Sequence, residues 1–197
     1  YHYLGDTLRN KGEKEEAIKV YRKAVEIRPQ LWEVHHKLGS LFQETEELEA
    51  AANAYRKSIE LNPDFCWSYN NLGDVLVKLE KWSEAKSVYH QAIELNPDFP
   101  WNYYKLADVL VKLEDWEGAI KIYDEAMTID SQVPPWYLYK LGSLLRQQGK
   151  FQEAVGYLRQ AIKMKTDVPK FYLDLGATLV KLGQCSEAQD HLESVSY

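Results

Sequence analysis

The stretch that decides the fold is residues 66–99, CWSYNNLGDVLVKLEKWSEAKSVYHQAIELNPDF. Within it, apolar and small residues recur at helical spacing in two runs: Tyr69, Leu72, Gly73 and Leu76, then Trp82, Ala85, Tyr89 and Ala92. This spacing is typical of two amphipathic helices. A polar turn near Glu80–Lys81 separates the runs, and Pro97 follows the second run, where proline cannot continue a helix. Residues 66–99 therefore predict a unit of two helices.

The same unit recurs along the chain at a fixed period. An alanine returns after 34 or 35 residues each time, at Ala17, Ala51, Ala85, Ala119, Ala154 and Ala188. A leucine followed by glycine or alanine keeps the same intervals, at Leu4, Leu38, Leu72, Leu106, Leu141 and Leu175. A third, large apolar series comprises Tyr21, Tyr55, Tyr89, Tyr123, Leu158 and Leu192. Self-similarity at this period indicates an array of stacked helix pairs.

This pattern resembles the tetratricopeptide repeat (TPR) family. The family signature runs from a large apolar residue through Leu-Gly, Ala, Tyr and Ala to a closing Pro, and the third unit matches it from Tyr69 to Pro97. The resemblance covers the whole chain and implies an all-α fold, a right-handed superhelical solenoid of antiparallel helix pairs. We expect a single array over residues 1–197, with repeats at 1–31 (partial), 32–65, 66–99, 100–134, 135–168 and 169–197 (partial).

Departures from the signature are local. Ser58 replaces the second alanine of its unit, and Ser131 and Thr166 stand where the closing proline is expected. The fourth unit carries one extra residue within residues 130–135, which predicts either a small change in the rotation between repeats or a loop insertion without consequence. Because no polar capping helix follows the sixth unit, we expect the chain to be a piece of a longer protein.

Composition argues against several classes of ligand. The chain has 30 acidic and 24 basic residues, a net charge of −6, and therefore no overall basic field for nucleic acid or anionic lipid. No apolar run is long enough to cross a bilayer. Cys66 and Cys185 lie far apart, which fits a reducing compartment. We expect a cytoplasmic location, with no nucleic-acid partner and no membrane insertion.

No catalytic motif is found in the sequence. It has no Gly-rich phosphate loop, nucleophile elbow or metal-binding helix motif. His35 and His36 are adjacent, so on a helix they point about 100° apart, and neither has a cysteine or carboxylate at ligand spacing. We expect no enzymatic activity, no cofactor and no metal site.

The first helix of each unit also presents a face away from its partner helix. By family resemblance, this face lines the concave groove of the superhelix, where peptides or partner helices usually lie. The predicted partner-binding residues share this face: Trp67, Asn70, Asn71, Asp74, Trp101, Tyr104, Lys105, Asp108, Trp136, Tyr139 and Lys140. Exposed aromatic rings commonly mark a binding surface. The alternative is that these rings pack sideways against the next unit and hold the stack together.

Charged residues on the same face alternate. Asp74 and Asp108 each stand four residues before a lysine, so each pair is expected to satisfy itself. Lys105 and Lys140 have no aspartate at that spacing, and they are predicted to meet a ligand carboxylate or neighbouring rings, or to stay solvated. The carboxylate clamp of some family members is matched only by Asn71 and Lys105, so we do not predict binding of a chaperone tail.

The leading function prediction is a protein-interaction scaffold that binds a peptide or partner segment in the groove. A first alternative is a substrate-recruiting or regulatory arm of a larger bacterial glycosyl-, sulfo- or methyltransferase, since residues 64–74 are similar to repeat arrays of such chains. A second is carbohydrate recognition by the aromatic row, with Asn70, Asn71, Asp74 and Asp108 as hydrogen-bonding groups. Self-association is compatible with each of the three.

Overall fold

The described part of the chain consists of α-helices and turns. The structure, a computed structural model, describes residues 1–130 and 132–193, and no strand occurs among them. None of the helices described is both long and apolar enough to span a lipid bilayer. The chain divides into two compact units, Tyr1–Leu113 and Glu114–Tyr197. The all-α prediction is confirmed, whereas a single array over residues 1–197 stays a prediction.

The first unit is built from consecutive helix pairs. Its helices are α1 His2–Asn10, α2 Lys14–Ile27, α3 Trp32–Glu44, α4 Leu48–Leu61, α5 Cys66–Lys78, α6 Trp82–Leu95 and α7 Pro100–Lys112. Within each pair the two helices pack together, and the second helix also packs against the first helix of the next pair. Loops of three or four residues join the helices, and connections this short make neighbouring helices antiparallel.

The second unit continues the same pattern. Its helices are α8 Trp116–Ile129, α9 Pro135–Gln147, α10 Phe151–Met164, α11 Pro169–Lys181 and α12 Cys185–Glu193. α9 packs against α10 and α11 against α12. Pro135 and Pro169 each occupy the first position of a helix, where the missing N–H has no intrahelical partner to lose.

Helix pairs are tight because a glycine on the first helix faces a large side chain on the second. A Cβ atom on Gly73 would lie 2.6 Å from the Tyr89 ring, which is closer than real side chains approach. In the second unit, a Cβ atom on Gly142 would lie 2.8 Å from Leu158 Cγ. These contacts give the repeated leucine–glycine motif its physical reason: the large residue fills the space that a side chain would otherwise occupy.

The turn inside each pair contains one residue in the left-handed backbone region. Glycine adopts it at Gly12, Gly149 and Gly183, and glutamate adopts it with φ between 57° and 60° at Glu46, Glu80 and Glu114. These six positions are equivalent in the repeat. A glutamate there carries backbone strain of about 1 kcal/mol that glycine avoids.

The departures from the signature have different outcomes. Ser58 on α4 is fully buried and accepts a hydrogen bond of 3.0 Å from the Ser68 hydroxyl on α5. A polar partner on the neighbouring helix therefore explains why serine replaces alanine. Thr166 lies in the turn between α10 and α11. Ser131 and the side chain of Leu192 lie outside the described part, and the effect of the extra residue on repeat rotation stays a prediction.

Candidate partner-binding surface

Two tryptophans of the first unit lie half-exposed at equivalent positions. Trp67 on α5 is 52% exposed and Trp101 on α7 is 44% exposed. The Trp67 ring meets the Phe99 ring edge-on, with 5.7 Å between the ring centroids. Phe99 is the last residue of the same repeat, so sideways packing of Trp67 against the next repeat stays a prediction, and half of its surface is exposed. Asp108, further along α7, is half-buried.

Lys105 contacts both the Trp101 ring on α7 and a carboxylate on α5. Its Nζ atom lies 4.9 Å from the centroid of that ring and 2.9 Å from Asp74 Oδ1 on α5. The Tyr89 hydroxyl donates a hydrogen bond of 2.7 Å to the same Asp74 oxygen. The predicted cation–π contact of Lys105 is confirmed. Its ion-pair partner, which the sequence did not identify, is the Asp74 carboxylate of the preceding repeat.

Two lysines of this unit make contacts between helices rather than along one helix. Lys78, four residues after Asp74, lies 3.3 Å from Glu46 on the turn after α3. The predicted self-satisfied pair of Asp74 and Lys78 is therefore wrong. Lys112 lies over the Trp82 ring, 5.8 Å from its centroid. Helices packed side by side bring neighbouring repeats within reach, so contacts between repeats compete with those one turn away.

The first two repeats form the same contact as Asp74 and Lys105. Lys37 Nζ lies 2.6 Å from Asp6 Oδ1, and the Tyr21 hydroxyl donates to that oxygen. Burial alone would raise the pKa of Asp6, but hydrogen bonds from Lys37 and Tyr21 hold the pKa below its ordinary value. We call Asp6–Lys37 and Asp74–Lys105 the Asp–Lys bridges.

A cavity lies between α3 and α5, where Ser40 and Asn71 stand at the positions that the Asp–Lys bridges occupy elsewhere. The cavity has a volume of about 460 Å³. Its lining consists of Ser40, Gln43, Glu44, Glu46, Tyr55, Asn71 and Lys78. Sequence reasoning selected only the half-buried Asn71 among these residues. The others can be recognised from the repeat. One repeat before and one repeat after, an aspartate and a lysine form an Asp–Lys bridge, and both are missing at the equivalent positions here.

Three predicted site residues are buried. Tyr104 is 1% exposed, and Asn70 and Tyr139 are each 6% exposed. The expectation that both tyrosines present exposed rings is therefore wrong. In the second unit, the Tyr139 ring stacks on Phe171 at 4.7 Å and its hydroxyl donates to Asp174 at 2.6 Å. Packing of α9 against α11 therefore covers the flank of the predicted face where Tyr139 lies.

Two buried amides in the first unit have unpaired polar atoms. Oδ1 of Asn70 and both Oδ1 and Nδ2 of Asn102 lack a hydrogen-bond partner among the residues described. One repeat earlier the equivalent residues are His36 and Ser68, whose Nδ1 and Oγ atoms lie 3.0 Å apart. Sequence reasoning missed Asn102. It is recognisable as an amide at a position where serine stands one repeat before.

The second unit has an exposed tryptophan of its own. Trp136 on α9 is 53% exposed. Its ring centroid lies 5.4 Å from that of Tyr139 and 5.1 Å from that of Phe171. Lys140 Nζ lies 5.0 Å from the centroid of the Tyr137 ring, so the predicted cation–π contact of Lys140 is confirmed.

The adjacent histidines take part in separate contacts. His35 Nε2 lies 3.0 Å from the carbonyl oxygen of Pro29. Burial, followed by the charges of Arg9 and Lys37, lowers the pKa of His36 to about 4, so this side chain is neutral near pH 7. Over residues 1–130 and 132–193, no three His, Cys, Asp or Glu side chains are placed to hold a metal ion.

Known proteins share this architecture. The family model described as Cilia and flagella-associated protein 70 C-terminal domain matches residues 1–196.

The crystal structure of YrrB, described as a TPR protein with an unusual peptide-binding site, has a TM-score of 0.77 at 23% identity and covers 89% of this chain and 90% of its own. MamA has a TM-score of 0.79 at 18% identity and covers 83% of this chain and 89% of its own. A tetratricopeptide repeat protein from Parabacteroides merdae has a TM-score of 0.79 at 15% identity, covering 98% of this chain and 76% of its own. These identities show a shared fold. No curated protein matches the chain significantly.

Proposed function

Since the chain belongs to the family of the cilia and flagella-associated protein 70 C-terminal domain, we propose that it is a non-catalytic scaffold that binds a segment of a protein partner. The binding surface in this proposal is the exposed face of α5 and α7. The observation that carries it is the half-exposure of Trp67 and Trp101 on consecutive first helices. The family name supports a partner in an assembly of cilia or flagella.

The exposed tryptophans suit partner binding energetically. Tryptophan is enriched among the residues that dominate the free energy of protein association, because it buries a large apolar surface. Lys105, itself anchored by Asp74, already restrains the Trp101 ring, so binding loses less side-chain entropy. Asn71 lies four residues after Trp67, on the same face of α5, and adds a hydrogen-bonding group beside the ring.

The predicted site residues divide into two roles in this proposal. Trp67, Asn71 and Trp101 contact the partner directly, and Asp74 and Lys105 hold Trp101 in place. Buried Asn70, Tyr104 and Tyr139 support the helices from inside. In the second unit, Trp136 and Lys140 form a separate contact patch, and Asp108 stays a candidate contact on α7.

A peptide selected from a displayed library against the whole chain tests the proposal. Calorimetry then compares its affinity for the wild type, Trp67→Ala and Trp101→Ala, with circular dichroism as the folding control. We expect each substitution to weaken binding at least about tenfold, which corresponds to about 1.4 kcal/mol. Ile27→Ala is the matched control, because Ile27 is also exposed, at 63%, but lies at the end of α2. Unchanged affinity in both folded tryptophan variants would contradict the proposal.

The alternatives have less support. Tyr104 and Tyr139 are buried, so neither ring is available to stack on a sugar. Asp74, one of the predicted hydrogen-bonding groups, is already bonded to Lys105 and Tyr89. A glycan array probed with wild type tests what remains of that prediction. The transferase-arm alternative and self-association stay predictions, which the sequence of neighbouring domains and analytical ultracentrifugation test respectively.

A further inference from the structure

The cavity between α3 and α5 has the properties of a side-chain pocket. We propose that it binds the carboxamide of an asparagine or glutamine side chain in a peptide that lies across α3 and α5. This inference rests on the proposed function and specifies one element of what the surface recognises.

The innermost groups of the cavity are uncharged. The Tyr55 hydroxyl donates a hydrogen bond of 3.1 Å to Gln43 Oε1, and Ser40 and Asn71 line the same cavity. Burial raises the pKa of Tyr55, so the hydroxyl stays protonated. A carboxamide carries two N–H donors and one carbonyl acceptor, which complements a set of hydroxyl and amide groups.

The charges at the rim of the cavity are already paired. Glu44 lies 2.9 Å from Arg9 and 3.0 Å from Lys14, and Glu46 lies 3.3 Å from Lys78. A charged ligand group would have to compete with these exposed pairs for a partner, so it gains little net Coulomb energy. A neutral polar group leaves the pairs intact.

Helix ends also contribute to the electrostatic potential at the cavity. α3 ends at Glu44 and α5 ends at Lys78, and both residues line the cavity. The C-terminus of a helix carries a partial negative charge, about half an elementary charge by the macrodipole estimate. The two ends roughly offset the excess of the three cations over the two carboxylates in these pairs, so the surroundings favour neither sign of ligand charge.

The cavity has room for a side chain of a bound peptide together with water or the flanking peptide backbone. Its volume of about 460 Å³ is that of about 15 liquid water molecules at roughly 30 Å³ each. Asn71 and Trp67 are four residues apart, so they lie one turn apart on the same face of α5. A peptide residue packed on Trp67 therefore brings a nearby side chain to the cavity.

The repeats supply a matched control for this pocket. The double variant Ser40→Asp/Asn71→Lys places between α3 and α5 the residues that form the Asp–Lys bridges in the flanking repeats. Arg9 already donates to Ser40 Oγ at 2.8 Å, so a cation is in place beside the new carboxylate. We expect this variant to fold and to fill the cavity with a third bridge.

The test is NMR titration of the whole chain with N-acetyl-glutamine methylamide, observing the side-chain amides of Gln43 and Asn71. The glutamate and lysine analogues serve as comparison probes. We expect saturable shifts with the glutamine probe, at least about tenfold weaker binding of the two charged probes, and no shift of the remaining Gln43 amide in the double variant. Asn71→Ala replaces the double variant if the latter does not fold.

Equal or tighter binding of a charged probe, absence of saturable shifts, or the same Gln43 shifts in the filled variant would overturn the assignment. These outcomes are distinct from failure of the proposed function, because the capped amino acids report on the pocket without any partner peptide. If the glutamine probe gives no saturable shifts while binding of a selected peptide still depends on Trp67 and Trp101, the assignment of the pocket is refuted and the proposed scaffold function is retained.

Discussion

The Nζ atom of Lys105 lies 2.9 Å from Oδ1 of Asp74, although the two residues belong to the first helices of different repeats. The same lysine lies over the Trp101 ring. One side chain therefore joins the packing of two repeats to the placement of an exposed aromatic residue. Both charged side chains are less than one-third exposed, at 26% for Lys105 and 32% for Asp74, so solvent screens their interaction only in part.

A double-mutant cycle over Asp74→Ala and Lys105→Ala measures this bridge. We expect a coupling free energy of about 1 kcal/mol from urea unfolding, at the upper end of values for partly exposed pairs, and a smaller value in 1 M salt. The same cycle on Glu16 and Lys19, whose side chains are 56% and 66% exposed, should give a value near zero. Equal coupling in the two cycles would show that partial burial does not strengthen the bridge.

Gly73→Ala tests the close contact inside a helix pair. A methyl group there would lie 2.6 Å from the Tyr89 ring, so one helix must shift, and we expect the free energy of unfolding to fall by about 1–3 kcal/mol. Gly156→Ala is the control: Gly156 lies inside α10 with no atom within 4 Å of the added methyl, so this change should stabilise by about 0.5–1 kcal/mol. Chemical denaturation of both variants measures the difference. A Gly73→Ala protein as stable as the wild type would refute the contact as a constraint.

The strained turns predict a gain in stability. Glu80 has a φ of 57°, and Glu80→Gly should raise the free energy of unfolding by about 0.5 kcal/mol or less, because relief of strain is partly offset by the added freedom of the unfolded chain. The reverse change at the equivalent position, Gly12→Glu, should lower it by a similar amount, since Gly12 has a φ of 83°. Thermal melts of both variants provide the measurement, and shifts in the same direction would be inconsistent with this explanation.

Stability should fall on mild acidification because of His36. Burial, then Arg9 and Lys37, lower its pKa to about 4, whereas the unfolded value is about 6.5. Between these values the unfolded state binds more protons, so the free energy of unfolding decreases as pH falls from about 6.5 towards 4. We expect His36→Gln to have a flatter pH dependence than the wild type by up to about 1 kcal/mol per pH unit, after allowing for the partial exposure of His36.

The control for that pH series is His35→Gln on the same helix. It should retain the wild-type slope, because the effect is assigned to the buried neighbour. Urea titrations at several pH values between 4 and 7 give the slopes. If the free energy of unfolding of the wild type and of His36→Gln changed with pH in parallel, another group would be responsible for the loss of stability in acid.

Periodicity in the sequence by itself determined the helix pairs. Residues 66–99 carry the apolar spacing of two helices, and its return every 34 or 35 residues predicts the α-helices that the structure shows. The contact of Gly73 with Tyr89 likewise depends only on the types of the two residues and their places in the repeat. Such features are local, so periodicity and side-chain size are sufficient to reveal them.

The tertiary structure alone decided which members of the predicted groove are exposed and what they contact. Tyr104 and Trp101 lie three residues apart on one face of α7, yet the former is 1% exposed and the latter 44%. Asp74 likewise pairs with Lys105 rather than with the lysine one turn along its own helix. Helical periodicity shows which residues share a face of a helix. The exposed fraction of each side chain and its ion pairs depend instead on which parts of that face neighbouring helices cover. Such contacts join residues that are remote in sequence, and the period does not specify them.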